Sequence, residues 1–183
     1  MRNDRILRIY TDGGCSGNQS NENLGGWGAI LEFGTAVREI YGNEKNTTNN
    51  RMEMTALLEA FRAIKKEGQK IEVFSDSSYL MDCFRKGWYV NWQKNGWKTA
   101  GKKPVENIDL WQQLIPYTAR HDISFYRVKG HVNINSGSVD LERLYKKFME
   151  WNGSGFSFEE FKYIIEKNNR ADELANIGIA ELR

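Results

Sequence analysis

The order in which short apolar strands and amphipathic helices follow one another constrains the fold of this chain most. A strand pattern at residues 5–12 is expected to end at Gly13–Gly14, and strands near 26–33 and 36–42 form a hairpin candidate. The next predicted elements combine helices with two single strands. Their order is helix 50–66, strand 71–75, helix 76–85, helix 107–115, strand 123–128, helix 139–151 and a final helix from 157. This order indicates an α/β fold with a mixed sheet and helices on its faces.

The bulk properties of the chain fit a single domain spanning residues 1–183. The net charge is +2, so overall charge does not by itself identify a nucleic-acid-binding protein. Cys15 and Cys83 lie in unrelated segments without metal-ligand spacing, and no stretch approaches the roughly 20 apolar residues of a membrane span. We therefore expect a cytoplasmic protein with no membrane partner.

Two aspartates lie at the ends of predicted strands. Asp12 precedes Gly13–Gly14 and could simply open a turn, while Asp76 precedes Ser77 and could simply cap the next helix. In α/β sheets, however, functional sites gather at the carboxyl ends of strands. If the two strands are neighbours, the two aspartates lie side by side, where like charges repel one another.

Two further carboxylates fall on the apolar faces of predicted helices. Glu53 borders the stripe that contains Leu57, and Asp172 shares one face of the last helix with Ile165 and Ala175. An unpaired buried carboxylate is costly, and neither stripe contains an Arg or Lys that would neutralise it. A structural salt bridge could explain one such residue, but it explains two on separate helices less well.

A bound divalent cation would resolve the crowding of these four carboxylates. Oxygen-only ligands suit Mg²⁺ or Mn²⁺. Carboxylate-rich sites can hold two ions about 3.5–4 Å apart, which activate water and stabilise the leaving oxygen in phosphodiester hydrolysis. The residues by themselves therefore indicate an acidic metal site.

Five ordered segments of the chain resemble the signature motifs of the bacterial-type, or type 1, ribonuclease H family. They are 10–18 (YTDGGCSGN), 47–54 (TTNNRMEM), 74–79 (FSDSSY), 128–131 (VKGH) and 169–175 (NRADELA). The similarity extends through 88–111 and covers about residues 5–131 and 169–180. It implies the family's ribonuclease H-like fold, a five-stranded mixed sheet flanked by helices, which agrees with the element order above.

The resemblance implies an enzyme that hydrolyses the RNA strand of RNA–DNA hybrids endonucleolytically and leaves 5′-phosphate and 3′-hydroxyl ends. Asp12, Glu53, Asp76 and Asp172 would hold the metal, which is two Mg²⁺ ions during catalysis, with Mn²⁺ as an alternative. His131 would assist proton transfer or product release from a mobile loop. Without the family, a lone histidine in a Lys-Gly-His loop would be an ordinary surface residue. The family also implies a monomer.

The segment 86–105 resembles the basic handle with which the family grips the DNA strand. Between Arg85 and Lys103 there is no acidic residue, and tryptophans alternate with cations. The candidate substrate contacts in this segment are Trp88, Lys94, Trp97, Lys98, Lys102 and Lys103. Clustered cations suit phosphates, and an exposed Trp can pack against sugar or base. Alternatively, the tryptophans belong to the core, where Trp88 and Trp92 would brace a helix pair, and the lysines form a solvated rim.

Four polar residues take the places of the family's minor-groove contacts. They are Asn18, Asn49, Asn50 and Ser78. Selectivity for RNA must come from the 2′-hydroxyl, which such side chains can recognise, and Glu53 could accept a hydrogen bond from it. For Asn49 and Asn50, helix capping is the simpler alternative. Ser78 stands where the family commonly has a longer polar side chain, which would weaken one contact.

The segment 132–168 replaces a much shorter link that the family has between His131 and Asp172. We predict a helical insertion before the last helix, which the segment also extends at its N-terminal end. Its many aromatic residues provide enough apolar surface for packing. The insertion either only buttresses the fold or borders the active site and modulates access of hybrid or metal.

Three other functions compete with this interpretation, and one of them, a structural protein with an acidic metal site, leaves the handle unexplained. A nuclease of the same broad fold, such as a resolvase or integrase, would act on DNA, but the TTNNRME motif and the handle argue against it. A non-catalytic hybrid-binding module would have lost activity, but all four carboxylates are present.

Overall fold

A computed structural model of the protein describes residues 5–17 and 22–183 and is built around one five-stranded sheet of strand order β3-β2-β1-β4-β5. The strands are β1 (Leu7–Ser16), β2 (Leu24–Phe33), β3 (Ala36–Lys45), β4 (Lys70–Ser75) and β5 (Asp122–Arg127). Antiparallel pairs join β1 to β2 and β2 to β3, whereas parallel pairs join β1 to β4 and β4 to β5. The predicted α/β fold with a mixed five-stranded sheet is confirmed.

Helices cover both faces of this sheet. They are α1 (Asn49–Arg62), α2 (Ser78–Lys86), α3 (Trp88–Lys94), α4 (Ile108–Leu114), α5 (Tyr117–Arg120), α6 (Leu141–Asn152) and α7 (Phe158–Ala180). The predicted capping box opens α7, where Ser157 and Glu160 satisfy each other's backbone donors. Pro116 separates α4 from α5, as expected of a residue that cannot continue a helix. In the described part of the chain, no helix has both the length and the apolar character needed to cross a bilayer.

The first strand is longer than predicted. Its pairing with β2 continues with Gly13 opposite Trp27 and Gly14 opposite Gly26. The prediction that the two glycines end the strand is therefore wrong. At the first of them the missing side chain serves packing, because a Cβ on Gly13 would lie 2.4 Å from the backbone carbonyl carbon of Met52. Glycine thus allows α1 to lie directly against β1.

Alternate residues of the strands face two separate cores. Ile9 and Val73 belong to the core beneath α1, α2 and α4, whereas Tyr10 and Phe74 belong to the core beneath α7. The two-residue period of a strand produces this division. The rings of Tyr10 and Phe74 stack 5.2 Å apart, which ties β1 to β4. The middle of β1 is therefore held next to the carboxyl end of β4.

The predicted helical insertion at 132–168 contains α6 and the first half of α7. Its side chains Phe148 and Phe156 are buried in the second core. At the edge strand β5, the Asn152 side chain donates to the carbonyl oxygen of Arg127 at 2.7 Å and accepts from its N–H at 2.9 Å. The segment thus fills one core and covers one sheet edge, in agreement with the buttressing interpretation. The assignment of 1–183 to one domain stays a prediction.

Candidate active site

Three carboxylates from three different elements meet where the parallel ladder between β1 and β4 ends, next to the pair Thr11 and Ser75. Asp12 lies in β1, Asp76 directly follows β4, and Glu53 lies in α1. Because Thr11 pairs with Ser75 in the parallel ladder, the aspartate that follows each of them is the other's neighbour. One oxygen atom from each of the three carboxylates lies within 4.8 Å of the other two. The fold therefore brings together three of the four predicted metal ligands.

The surroundings of these carboxylates leave their charge largely uncompensated. Asp12 and Glu53 are only 4 % and 7 % exposed. The Gly13 N–H donates to Asp12 Oδ1 at 2.9 Å, and the Ser75 hydroxyl donates to Glu53 Oε2 at 3.5 Å. Across residues 5–17 and 22–183, no Lys or Arg forms an ion pair with any of the three acids. The apolar helix faces contained no Arg or Lys that could neutralise these acids. The fold does not bring one to them from elsewhere in the described part of the chain.

Burial dominates the electrostatics of this cluster. Burial raises the pKa of Asp12 to about 8, with the charges of Asp76 and Asp172 acting in the same direction and a hydrogen bond to Glu53 acting against it. Burial and then the charge of Asp12 raise the pKa of Glu53 well above its usual range. Burial also raises the pKa of Asp76, against the effect of His131. Burial therefore favours the protonated form of each of these groups, and a bound cation would favour the ionised form.

The fourth predicted carboxylate lies beside the buried group. Asp172, on α7, lines the cavity above the three acids, but 32 % of its side chain is exposed. It does not belong to the compact group of three carboxylates found among the described residues. The Nδ1 atom of His131 lies 3.7 Å from Asp172 Oδ2. His131 has a positive φ of 57° and a side chain that is 73 % exposed. These two residues thus form the outer rim of the site.

Local structure also explains why the Asp76 carboxylate is available. The simpler alternative, in which Asp76 caps α2, is wrong because the Ser77 hydroxyl takes that role and accepts from the Leu80 N–H at 3.1 Å. On its other side, a Cβ on Gly130 would lie 2.1 Å from Asp76 Oδ2. A side chain at position 130 would therefore displace the Asp76 carboxylate from its present place. We did not predict this role for Gly130, although its place in the VKGH motif was a signal for it.

A cavity of about 720 Å³ opens above the carboxylates. Three candidate minor-groove contacts line it, namely Asn49, Asn50 and Ser78. Asn49 Oδ1 accepts a hydrogen bond of 2.8 Å from the Cys15 N–H, which joins the start of α1 to β1. The capping alternative for the two asparagines is wrong, because Thr48 is the N-cap and accepts from the Arg51 N–H. Asn18, the remaining candidate, lies outside the described residues.

The tryptophans of the handle brace its base. Trp88 and Trp92 lie one helical turn apart on α3, with ring centroids 6.5 Å apart. Trp88 contacts Tyr79 of α2, and Trp92 contacts the fully buried Trp111 of α4. The alternative in which these tryptophans join the core therefore holds in part.

The lysines of the handle remain on the surface. All four candidates are exposed, and they are Lys94, Lys98, Lys102 and Lys103. A groove of about 590 Å³ is lined by Trp88, Lys94 and Lys98, so one face of that tryptophan borders solvent beside two cations. Trp97 is half-buried against the first core. The handle thus has a packed aromatic base and a cationic outer surface.

The donor atoms of the buried cluster suit a hard divalent cation. Every ligand that it offers is a carboxylate oxygen, the donor that Mg²⁺, Ca²⁺ and Mn²⁺ prefer, and no thiol or imidazole belongs to the group. A cation would also offset the cost of ionising three buried, neighbouring acids. Acidic clusters of this kind at neighbouring strand ends are typical of metal-assisted phosphoryl-transfer enzymes.

Comparison with known proteins identifies the family. A family model described as RNase H matches residues 4–147, and the chain belongs to this family. A ribonuclease H of Chlorobium luteolum is 55 % identical over 125 residues, which cover 68 % of this chain and 83 % of that protein. A ribonuclease H of Moorella thermoacetica is 41 % identical over 177 residues, which cover 97 % of this chain and 93 % of that protein.

A solved structure agrees with this membership. The crystal structure of LC9-RNase H1, described as a type 1 RNase H with the type 2 active-site motif, is 26 % identical to this chain. It superimposes with a TM-score of 0.69 and covers 97 % of this chain and 73 % of that chain. Because the Moorella alignment leaves out at most a few residues of this chain, it must include most of the segment 132–168.

Proposed function

We propose that the chain hydrolyses the RNA strand of RNA–DNA hybrids at internal phosphodiester bonds, and that it leaves 5′-phosphate and 3′-hydroxyl ends. Membership in the ribonuclease H family supports the reaction and the substrate. The observation that carries the proposal for this chain is the meeting of Asp12, Glu53 and Asp76 within 4.8 Å without a neutralising Lys or Arg in the described part of the chain. Such an arrangement is costly unless cations occupy it.

Asp12, Glu53, Asp76 and Asp172 would hold the metal. The first three offer crowded, buried oxygens, and Asp172 offers a more exposed carboxylate at the rim, which would complete a site for two Mg²⁺ ions or, alternatively, Mn²⁺. When bound, the cations would activate the attacking water and stabilise the leaving oxygen. The protein contributes by holding the carboxylates in place, and the Ser75 hydroxyl orients Glu53 for this purpose.

His131 would transfer a proton at the edge of the site or assist product release. Its imidazole is exposed enough to reach a leaving group, and Asp172 Oδ2, 3.7 Å from Nδ1, would orient the ring. The positive φ of His131 and the glycine before it hold the ring beside the carboxylates. Replacement of the imidazole should therefore slow turnover more than it weakens hybrid binding.

The amides and hydroxyl that line the cavity would recognise the hybrid in its minor groove. Asn49 uses its oxygen to accept from Cys15, so its amide nitrogen remains available to donate to a sugar or base. Asn50 and Ser78 line the same cavity, and Glu53 could accept from a 2′-hydroxyl. Asn18 completes the proposed set.

The handle would bind the phosphates of the DNA strand. Lys94, Lys98, Lys102 and Lys103 supply exposed charge, with Trp88 and Trp97 beside them. Binding through phosphates gives little base preference and a steep dependence on salt. Monomeric state and cytoplasmic location stay predictions.

The test is a cleavage assay with three end-labelled substrates, an RNA–DNA hybrid, an RNA duplex and a DNA duplex, in Mg²⁺ or EDTA. We expect cleavage of the hybrid only, and only with Mg²⁺. Asp76→Asn should lower the rate by more than roughly 100-fold, because outer-shell partners of metal ligands alone are worth 10–100-fold. The matched control is Asp82→Asn, which neutralises a carboxylate on α2 that pairs with Lys86 and should cut as wild type does.

Each alternative gives a different result in this assay. Cleavage of the DNA duplex would assign the chain to the DNA-directed nucleases of the same fold. Hybrid binding without cleavage by the wild type would make it a binding module. Equal cutting by Asp76→Asn and wild type would remove the carboxylates from the reaction.

A further inference from the structure

The inserted segment forms a second basic groove beside the active site. This groove, which we call the α6 groove, has a volume of about 800 Å³ and lies between α6 and the loop after β5. The charged and aromatic residues that define it are Lys129, Asp140, Arg143, Lys146, Lys147, Glu150 and Trp151. It is separate from the handle, whose cations lie on α3 and the turn after it.

The positive charge of the α6 groove is only partly compensated. Asp140 is the N-cap of α6, and its carboxylate accepts from the Arg143 N–H at 3.1 Å. Lys147 lies 3.5 Å from Glu150 and is thereby paired. Lys129, Arg143 and Lys146 are exposed, and none of them has an ion-pair partner in the described part of the chain. Three cations therefore face the same groove without an ion pair, although the Asp140 carboxylate lies in the groove as well.

The groove is built on a fixed wall. The guanidinium of Arg127 lies 4.1 Å from the centre of the Trp151 ring, and Arg85 donates to the Trp151 carbonyl oxygen. Asn152 forms two hydrogen bonds with the backbone of Arg127 in β5. Arg85 is in the last turn of α2, directly before the handle. The Trp151 end of the groove is thus attached to α2 at the base of the handle.

The groove lies next to the proposed site of cleavage. Lys129 and His131 are two residues apart, so their Cα atoms are separated by at most about 7 Å. Gly130, between them, lies against the Asp76 carboxylate. Successive phosphates of one strand are only about 3.4 Å apart along the helix axis. Phosphates next to one held at the carboxylates would therefore lie within reach of Lys129 and, further along the strand, of α6.

We propose that the α6 groove binds the phosphate backbone of the RNA–DNA hybrid next to the bond that is cut. The proposal rests on the proposed function and assigns to the insertion a contact that neither the carboxylates nor the handle supplies. Backbone binding fits better than stacking of unpaired bases, because Arg127 and Lys147 already lie over the Trp151 ring. The cations would add affinity and position the duplex without reading its sequence.

The test compares two triple variants of equal charge. Lys129→Gln with Arg143→Gln and Lys146→Gln empties the groove of its unpaired cations. The matched control, Lys65→Gln with Lys66→Gln and Lys70→Gln, removes three exposed lysines at or before the first residue of β4, the end of that strand away from Asp76. Affinity for a labelled RNA–DNA hybrid is measured by fluorescence anisotropy in EDTA over a range of salt concentrations, and cleavage of the same hybrid is measured in Mg²⁺.

We expect only the groove variant to lose affinity and salt dependence. If all three cations contact phosphates, the slope of log K against log salt falls by about 2.7, so that between 50 and 200 mM salt the wild type loses roughly 40-fold more affinity than the variant. Equal affinity and slope in the groove variant and the wild type would overturn the inference, and so would an equal loss in both triple variants. Failure of the wild type to cut the hybrid at all would instead overturn the proposed function.

Discussion

At the scale of single residues, the protein keeps buried acids where a stable fold alone would not place them. Asp12 and Glu53 are almost fully buried, adjacent, and without a neutralising base in the described part of the chain. Their raised pKa values express the cost of ionising them in that environment. The stability of the metal-free protein should therefore depend on the ionisation of these groups.

Asp12→Asn should stabilise the metal-free protein at high pH. Because burial raises the pKa of Asp12 above its usual 3.8 to about 8, the contribution of this group to stability is full below about pH 4 and is lost as the pH rises through about 8. The asparagine keeps the oxygen that accepts from the Gly13 N–H but cannot ionise. In EDTA near pH 8 we expect the free energy of unfolding to rise by roughly 1–4 kcal/mol, measured by urea denaturation.

Two controls accompany this measurement. Near pH 4 the advantage of Asp12→Asn should disappear, and added Mg²⁺ should stabilise the wild type more than the variant, which lacks one ligand. Asp82→Asn should show neither effect, because Asp82 lies outside the cluster and pairs with Lys86. A variant that is no more stable than the wild type in EDTA near pH 8 would mean that ionisation of Asp12 in this buried site does not destabilise the fold.

At the scale of elements, the site depends on how closely α1 approaches β1. Gly13 lies against the backbone of Met52 and Glu53, so the position of Glu53 depends on the missing side chain. Gly14, the next residue, has only Asn49 Oδ1 near a hypothetical Cβ, at 3.7 Å. These two neighbouring glycines therefore provide a matched pair.

Gly13→Ala should damage both stability and catalysis, whereas Gly14→Ala should not. A Cβ 2.4 Å from a backbone carbon cannot be accommodated by a side-chain movement, so we expect a loss of about 1–3 kcal/mol in the free energy of unfolding. Cleavage should fall by about 100-fold, because small displacements of catalytic groups are costly. Thermal unfolding and the hybrid cleavage assay measure the two effects. Similar stability and similar cleavage rates in the two variants would contradict the claim that the close approach of α1 to Gly13 positions Glu53.

The sequence predicted the elements better than it predicted their contacts. Strand and helix order and the capping box at Ser157 follow from local patterns, which short-range chemistry determines. That Gly13 continues β1 could not be predicted, because a Gly-Gly pair equally indicates a turn and only the approach of α1 decides between them. Likewise, Asp76 and Ser77 are both good capping residues, and the structure alone shows that Ser77 takes the role.

At the scale of the whole molecule, the inserted segment belongs to the core and not to an appendage. Phe148, Phe156 and Phe161 pack with Tyr10 and Phe74 of the sheet. The aromatic composition of 132–168 indicated that the segment packs, but periodicity does not specify the surface on which it packs. Deleting the segment would expose one face of the sheet, so point substitutions are the better test of its function.

Phe156→Ala should destabilise the protein although it lies in the insertion. Its ring is buried against Phe74, Tyr126 and Phe148, so we expect a loss of about 3–5 kcal/mol in the free energy of unfolding. Phe158→Ala, at a half-buried position at the start of α7, should cost clearly less. Chemical denaturation measures both. Equally small losses would show that the segment can detach from the sheet.

The most direct test of the account is to locate metal in a crystal of the protein grown with Mn²⁺ and a hybrid, using Asp76→Asn to prevent cleavage if the wild type cuts its ligand. We predict anomalous density among Asp12, Glu53, residue 76 and Asp172, with two ions about 3.5–4 Å apart when the site is filled. Ordered hybrid over the cavity without any ion at these carboxylates would contradict it.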